Sequence, residues 1–383
     1  MDTSRVLAQR LATQRLSSAP LPRAGDVVRL LTCVQSQERD HAFFSLGLRS
    51  RKDTYAAVQR EFDSGAFLRT HILRPTWHFV APEDLRWILD LTSPRVLSSM
   101  AARHRQLGLD DVTRMDEGLR LLTELLQDKR FRTRPELGEE FTERRSPIKP
   151  GEQLGHLLLV AELSGLVCSG PMKGVHHSYA LVDEVVPPTP PRTRDEAMVE
   201  LLRRYVAGHG PTSIKDFTRW ATLTISDTKQ ALAEIGDDFE QVEIDGIPHW
   251  FDPTQVRRRS PAAPAAYLFP TYDEVVLSYP QVNFPSLPDH PYAEHSDPFW
   301  AWVVLESVNV GLWKRTVRPD VVDVEVRLAP AVTKEGRTAV RVAAQRLASF
   351  LGRELSYVEN EGTPHLWGGA LGHPARRPRR ADR

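Results

Sequence analysis

The sequence predicts an α+β protein: three tandem winged helix-turn-helix modules closed by a small C-terminal α/β cap. Three observations carry that expectation. A helix that ends at a glycine turn and passes into a β-rich, aromatic-closed stretch recurs three times, as EFDSGAFLRTHILRPTWHFV (61–80), AELSGLVCSGPMKGVHHSYALV (161–182) and LAEIGDDFEQVEIDGIPHWFD (232–252). Helical segments precede each copy, and helices followed by a two-stranded wing are the winged-helix plan. After Pro253 the pattern changes to longer strands and one helix.

The elements follow in chain order. Ahead of the first copy lie helical stretches Ser4–Leu16, Gly25–Gln35, Asp40–Ser50 and Thr54–Asp63. Ahead of the second lie Asp116–Lys129, Thr133–Glu143 and Gly151–Leu163. Before the third, Arg194–Gly208 is amphipathic, Pro211-Thr212-Ser213 opens Ile214–Ala221, and Thr224 and Ser226 cap a helix reaching Ile235. Asp245-Gly246 between alternating strands marks a hairpin. Residues 265–279, 301–317 and 321–328 read as strands, and Thr338–Leu355 as a helix with Val340, Ala344, Leu347 and Leu351 on one face. The Pro-rich VVPPTPPRT (185–193) is a spacer. The modules are expected at residues 1–90, 91–186 and 187–253, the cap at 254–366 and a disordered basic tail at 367–383.

Composition bounds the function. With 383 residues and 50 basic against 50 acidic side chains, the chain has ample core and is not a wholly basic coat protein. Cys33 and Cys168 are the only cysteines and lack zinc spacing, which suits a reducing cytosolic setting. No stretch has the run of about eighteen apolar residues a membrane span needs. No Gly-rich phosphate loop or metal signature appears, so neither a nucleotide nor a metal cofactor is expected. His176-His177 has no partner ligand nearby, and no coiled coil or other dimer element is evident, so a monomer is expected.

One short stretch stands out. In LLTCVQSQERDHAFF (31–45) two glutamines sit two apart where a helix gives way to charge. In a continuing helix, turning about 100° per residue, Gln35 and Gln37 would diverge; in an extended or turn conformation they project the same way. A helix ending near Gln35 would deliver both carboxamides to one place. Basic residues nearby suit phosphate work: Arg49, Arg51 and Lys52 after one helix, Arg69, His71 and Arg74 on the first wing, and Lys314 and Arg315 in the cap. Singly each fits a solvated face; together, on three DNA-type modules, they point to phosphate contact. His78 reads as a hydrogen-bonded structural histidine. Tyr272-Asp273-Glu274 reads as structural, pairing with an arginine of a neighbouring module, or with Asp273 helping to shape a site.

VQSQERDHAFFSLGLRSR with FLRTHILRPTWHFVAPEDLRWILDL resembles the winged-helix DNA glycosylases of the AlkZ/YcaQ-like family. GHGPTSIKDFTRWATLTISDTKQAL, LFPTYDEVVLSY and VGLWKRTV extend the likeness through most of the chain. The resemblance implies a C-shaped, basic array that excises alkylated bases, including interstrand cross-links at N7 of purines. It also implies a Gln-Φ-Gln catalytic motif with an aliphatic middle residue. Gln35 and Gln37 match the two glutamines; Ser36 departs from the middle position. The expected partner is double-stranded DNA carrying alkylated bases, in a cytoplasmic, nucleoid-associated protein, with no deep nucleobase pocket beside Gln35. Two other functions compete: a non-catalytic winged-helix regulator, and a protein-interaction scaffold. A regulator would need base-reading side chains on its recognition helix, and SDTKQALAEIG has only Lys229 and Gln230.

Overall fold

The computed structural model describes residues 2–255, 265–288, 290 and 300–360. The expected tail, 367–383, lies outside them, as do residues 361–366 of the cap.

The chain is a mixed α+β structure. Helices α1 (Thr3–Thr13) and α2 (Ala24–Leu31) lead to a short strand β1 (Cys33–Gln35), helices α3 (Arg39–Arg49) and α4 (Tyr55–Asp63), and strands β2 (Leu68–Ile72) and β3 (Arg74–Val80). A long helix α5 (Pro82–Gln106) connects to α6 (Val112–Leu126), β4 (Arg132–Thr133), α7 (Arg134–Glu143), α8 (Glu152–Leu163), β5 (Val167–Lys173), β6 (His176–Leu181) and the short α9 (Val182–Val185). Then come α10 (Arg194–His209), α11 (Ile214–Ala221), α12 (Ile225–Ile235), β7 (Glu240–Ile244) and β8 (Ile247–Phe251). The last part holds β9 (Ala266–Leu268), α13 (Glu274–Leu277), β10 (Ala301–Leu305), β11 (Val308–Val317), β12 (Val321–Leu328), α14 (Lys334–Leu351) and β13 (Glu354–Asn360).

Local chemistry explains most boundaries. Thr133, Thr193 and Ser213 each accept a backbone N–H three residues on while Glu136, Glu196 and Asp216 reach back, so α7, α10 and α11 open on capping boxes. At the third hairpin Asp245 and Gly246 take φ of 50° and 75°, the positive pair that a tight primed turn requires. Ile244 therefore faces Ile247 across it.

Several elements depart from expectation. The helix expected to reach Gln35 stops at Leu31, where Thr32 turns to φ 65°. Cys33–Gln35 then pairs antiparallel with β3, Gln35 opposite His78, because β3 offers an unpaired edge. Residue 90 falls inside α5, so the first boundary cuts a continuous helix; its Pro82 sits at the N-terminus, where a missing N–H costs nothing, and Pro94 is carried inside it. Of 265–279 only Ala266–Leu268 is strand, since Asp273 caps α13. The last helix stops at Gly352, φ 63°, and Glu354–Asn360 joins the cap sheet parallel to β12.

The sheets run β1-β3-β2, β4-β6-β5, β7-β8 and β13-β12-β11-β10-β9. One apolar core passes from Phe43, Phe44, Phe67 and Phe79 into the cap through Phe350 and Trp313. A second joins β2 and α5 to α10 and α11 through Trp87, Tyr205 and Trp220. The β1-β3-β2 sheet is thus held from both sides, by the cap and by the α10–α11 layer.

Candidate active site

The two glutamines lie where three parts of the chain meet. Strand pairing carries Gln35 to the end of β1, and Ser36 N donates to Trp77 O at 2.7 Å, extending the ladder by one residue. Ser36 is fully buried, while Gln35 and Gln37 on either side are half-buried. An extended path therefore turns the middle residue inward and leaves both carboxamides at the surface of the junction.

Each amide is fixed differently. Gln35 Oε1 accepts from Arg74 Nη2 at 2.6 Å, and Arg74 also donates to Trp220 O (3.1 Å) and His78 Nε2 (3.0 Å). An arginine only donates, so His78 Nε2 accepts and its Nδ1 donates to Thr76 O at 2.9 Å. Burial and the Arg74 charge push His78 down to about 3, so the ring is neutral. Gln37 Oε1 has only a long contact, 3.5 Å, from Trp77 N. Behind Gln35, Glu274 Oε1 accepts its backbone N–H at 2.7 Å, and Glu274 Oε2 accepts from Trp220 Nε1 (3.1 Å) and Ser278 Oγ (2.8 Å). Burial would raise the Glu274 carboxyl, but His209 foremost, then the Arg74 charge and the Gln35 N–H, hold it down to about 2.

The expected phosphate contacts divide. Arg49 is a correction: it is fully buried and clamps Asp273 at 2.6 Å, because α3 turns its last arginine into the seam with the cap. Arg69 is another. It is 5% exposed, spends Nε and Nη2 on Ser36 O (3.1 and 3.0 Å), and lies 4.3 Å over the Trp77 ring. It braces the motif from behind. His71 is buried against the Glu162 carboxylate, so it too faces protein. Arg74 is half-buried and engaged with Gln35. Lys314 pairs with Glu325 at 2.8 Å, while Arg51 is exposed and Lys52 half-buried. Arg315 is half-buried beside Asp40, Tyr55 and His41, and its Nη1 is enclosed without a hydrogen bond.

Sequence reasoning placed Asp273 on an arginine of another part of the chain, as found, but missed Glu274 as a neighbour of Gln35. It also missed the docking of the second hairpin beside the motif, where Arg39 Nη1 donates to Val175 O at 2.9 Å and Met172 N to Asp63 Oδ1 at 2.7 Å. Only the preceding apolar strand hinted that this carboxylate cluster would be buried. Two hollows, of about 790 Å³ beside Leu154 and about 650 Å³ beside Val342, lie away from the glutamines. Among the described residues no cluster of three or more His, Cys, Asp or Glu is placed to hold a metal, and no helix is long and apolar enough to cross a membrane.

Ser36 yields a small prediction. Its buried hydroxyl has no hydrogen-bond partner, and such a group costs about 1–3 kcal/mol. Ser36→Ala is expected to raise unfolding stability by roughly 1 kcal/mol in urea titrations; a loss of that size would mean the hydroxyl is satisfied in solution.

A family model described as "DNA glycosylase AlkZ-like" matches residues 28–350. A curated relative, the "Interstrand DNA cross-link repair glycosylase" of Streptomyces sahachiroi, is 26% identical over 365 residues, spanning 85% of this chain and 89% of its own. The solved structure of Streptomyces sahachiroi DNA glycosylase AlkZ superposes with a TM-score of 0.72 at 21% identity, over 94% of this chain and 100% of that one, a likeness of fold. The matched family consists of DNA glycosylases, hydrolases of N-glycosyl bonds, and this disfavours the regulator reading. With the matched region running from α2 through the glutamine pair and Glu274 into α14, the chain belongs to the AlkZ-like DNA glycosylase family.

Proposed function

We propose that this chain hydrolyses the N-glycosidic bond of cationic alkylated purines in double-stranded DNA, acting as a monomer without metal or nucleotide. N7-alkylguanine and N3-alkyladenine are the substrate class, and interstrand cross-links through such atoms, the lesion named for the Streptomyces relative, belong to it. On this reading the units at 1–90, 91–186 and 187–253 serve as winged helices along the duplex, with α5 bridging the first two and residues 254–366 capping them. The order of helices and hairpins supports it.

The observation that carries the reading is the pair of half-buried carboxamides with unequal partners. A carboxamide does not titrate near neutral pH and cannot protonate a leaving base. A purine alkylated at N7 or N3 is already positive and departs neutral, so no acid is required. What remains is to stabilise an oxocarbenium-like sugar and to place a water on its far face. Gln37 Oε1, with its weak 3.5 Å contact, is the acceptor left for that water and that developing charge. Gln35 Oε1 is taken by Arg74, so its NH₂ group donates instead, to a sugar or phosphate oxygen that orients the strand.

The test is release of free base from duplex DNA containing N7-methylguanine. Release is expected from that duplex and not from one containing uracil or only normal purines. Neither Glu274 (about 2) nor His78 (about 3) changes charge between about pH 5 and 8, so neither should impose a pH dependence on the rate in that range. Comparable release of uracil, or none of methylguanine, would overturn the reading.

A further inference from the structure

Glu274 stands 239 residues after the motif in sequence, yet its carboxylate lies directly behind Gln35. It is fully buried. A buried carboxylate is costly unless charged partners or several donors hold it, and packing alone would be served as well by a neutral side chain of the same shape. Three donors converge on it within 2.7–3.1 Å, from Gln35, Trp220 and Ser278, and His209 Nε2 stands 3.7 Å away.

The charge on Arg74 explains the need. Its three acceptors, Gln35 Oε1, Trp220 O and His78 Nε2, are all neutral. Among the described residues no carboxylate is at ion-pair distance from it, and Glu274 is the foremost negative charge acting on it. An uncompensated cation on Gln35 would oppose the positive charge that develops on the sugar, most strongly in a partly desolvated site.

We propose that Glu274 is a positioning residue of the glycosidic reaction. It fixes the Gln35 peptide and supplies the negative charge that lets Arg74 orient the Gln35 amide without repelling the sugar cation. The cap thereby completes the active site. This rests on the glycosylase reading above and is separable from it.

The experiment measures single-turnover release of N7-methylguanine, and affinity for undamaged duplex, in wild type, Glu274→Gln, Glu274→Asp, Arg74→Gln and the Arg74→Gln/Glu274→Gln double variant. Glu274→Gln is expected to lose about 10²-fold in rate with DNA affinity held within about twofold, the scale of losing one preorganised electrostatic contact. Glu274→Asp, which keeps the charge at the expense of shape, should stay at least about tenfold faster than Glu274→Gln. The double variant should be faster than Glu274→Gln alone, since the cation is removed with its counter-charge. A purely structural carboxylate gives the opposite order, the isosteric Gln outperforming Asp and the two losses multiplying; either result overturns the proposal. A wild type that releases no methylguanine overturns the glycosylase reading itself, whereas an active wild type with an equally active Glu274→Gln overturns only this one.

Discussion

Replacing Gln37 by Ala is expected to slow base release about 10²–10³-fold while DNA affinity stays within about twofold. The expectation follows from the unequal partners of the two amides. Arg74 occupies one lone pair of the Gln35 oxygen at 2.6 Å and sets a positive charge against it, whereas Gln37 Oε1 has only a weak 3.5 Å contact. Gln37 is therefore the acceptor with most to lose. Glu at position 37 retains an oxygen of similar reach, so Gln37→Glu should recover much of what Gln37→Ala loses. Gln35→Ala should also slow the step, and with it free Arg74 to point a charge at the sugar. Single-turnover release from N7-methylguanine duplex, paired with an affinity measurement, checks all three. A Gln37→Ala enzyme as fast as wild type would remove the amide pair from the chemistry.

Much of the layout was legible because it rests on local rules. The capping boxes at Thr133, Thr193 and Ser213, the Asp245-Gly246 turn and the amphipathic α10 are decided within a few residues of themselves. The glutamine pair was legible for a related reason: a spacing of two suits an extended or turn conformation, and the chain runs as strand from Cys33 to Gln35 and bends at Gln37. What stayed hidden depends on partners far away in the chain. Nothing local says that Cys33–Gln35 will add to β3, which decides where the preceding helix must end. Burial of the basic residues was hidden likewise, since Arg49 and Arg69 look like any phosphate-facing arginines until Asp273 and the Ser36 carbonyl arrive from elsewhere. Arginine is the residue most easily misread in this way, because the fork that suits phosphate suits a buried carboxylate equally well.

That seam carries the second large effect. Asp273→Ala is expected to destabilise the chain by about 3–5 kcal/mol, the usual consequence of leaving one member of a buried ion pair alone. Both side chains are fully enclosed. Arg49 Nη1 and Nη2 reach the two Asp273 oxygens at 2.9 and 2.6 Å, Gln14 Oε1 takes a further Nη2 bond at 3.0 Å, and Ser45 Oγ donates to Asp273 Oδ2 at 2.7 Å. Removing the carboxylate strands the guanidinium where water does not reach. Replacing both partners together, as Arg49→Met/Asp273→Leu, should cost less than either single change, because no charge is left behind. Urea unfolding followed by far-ultraviolet circular dichroism measures this, and an unchanged midpoint for Asp273→Ala would show the pair to be exposed in solution. The folded double variant also settles the role of Arg49. A phosphate contact would lower the slope of log affinity against log salt by about one, whereas an arginine committed to the cap leaves that slope unchanged. Since Asp273 caps α13 through Val275 N at 3.0 Å and immediately precedes Glu274, loosening this pair should also slow base release. The arginine first placed on DNA would then act on the chemistry from inside the protein, by holding the cap carboxylate under Gln35.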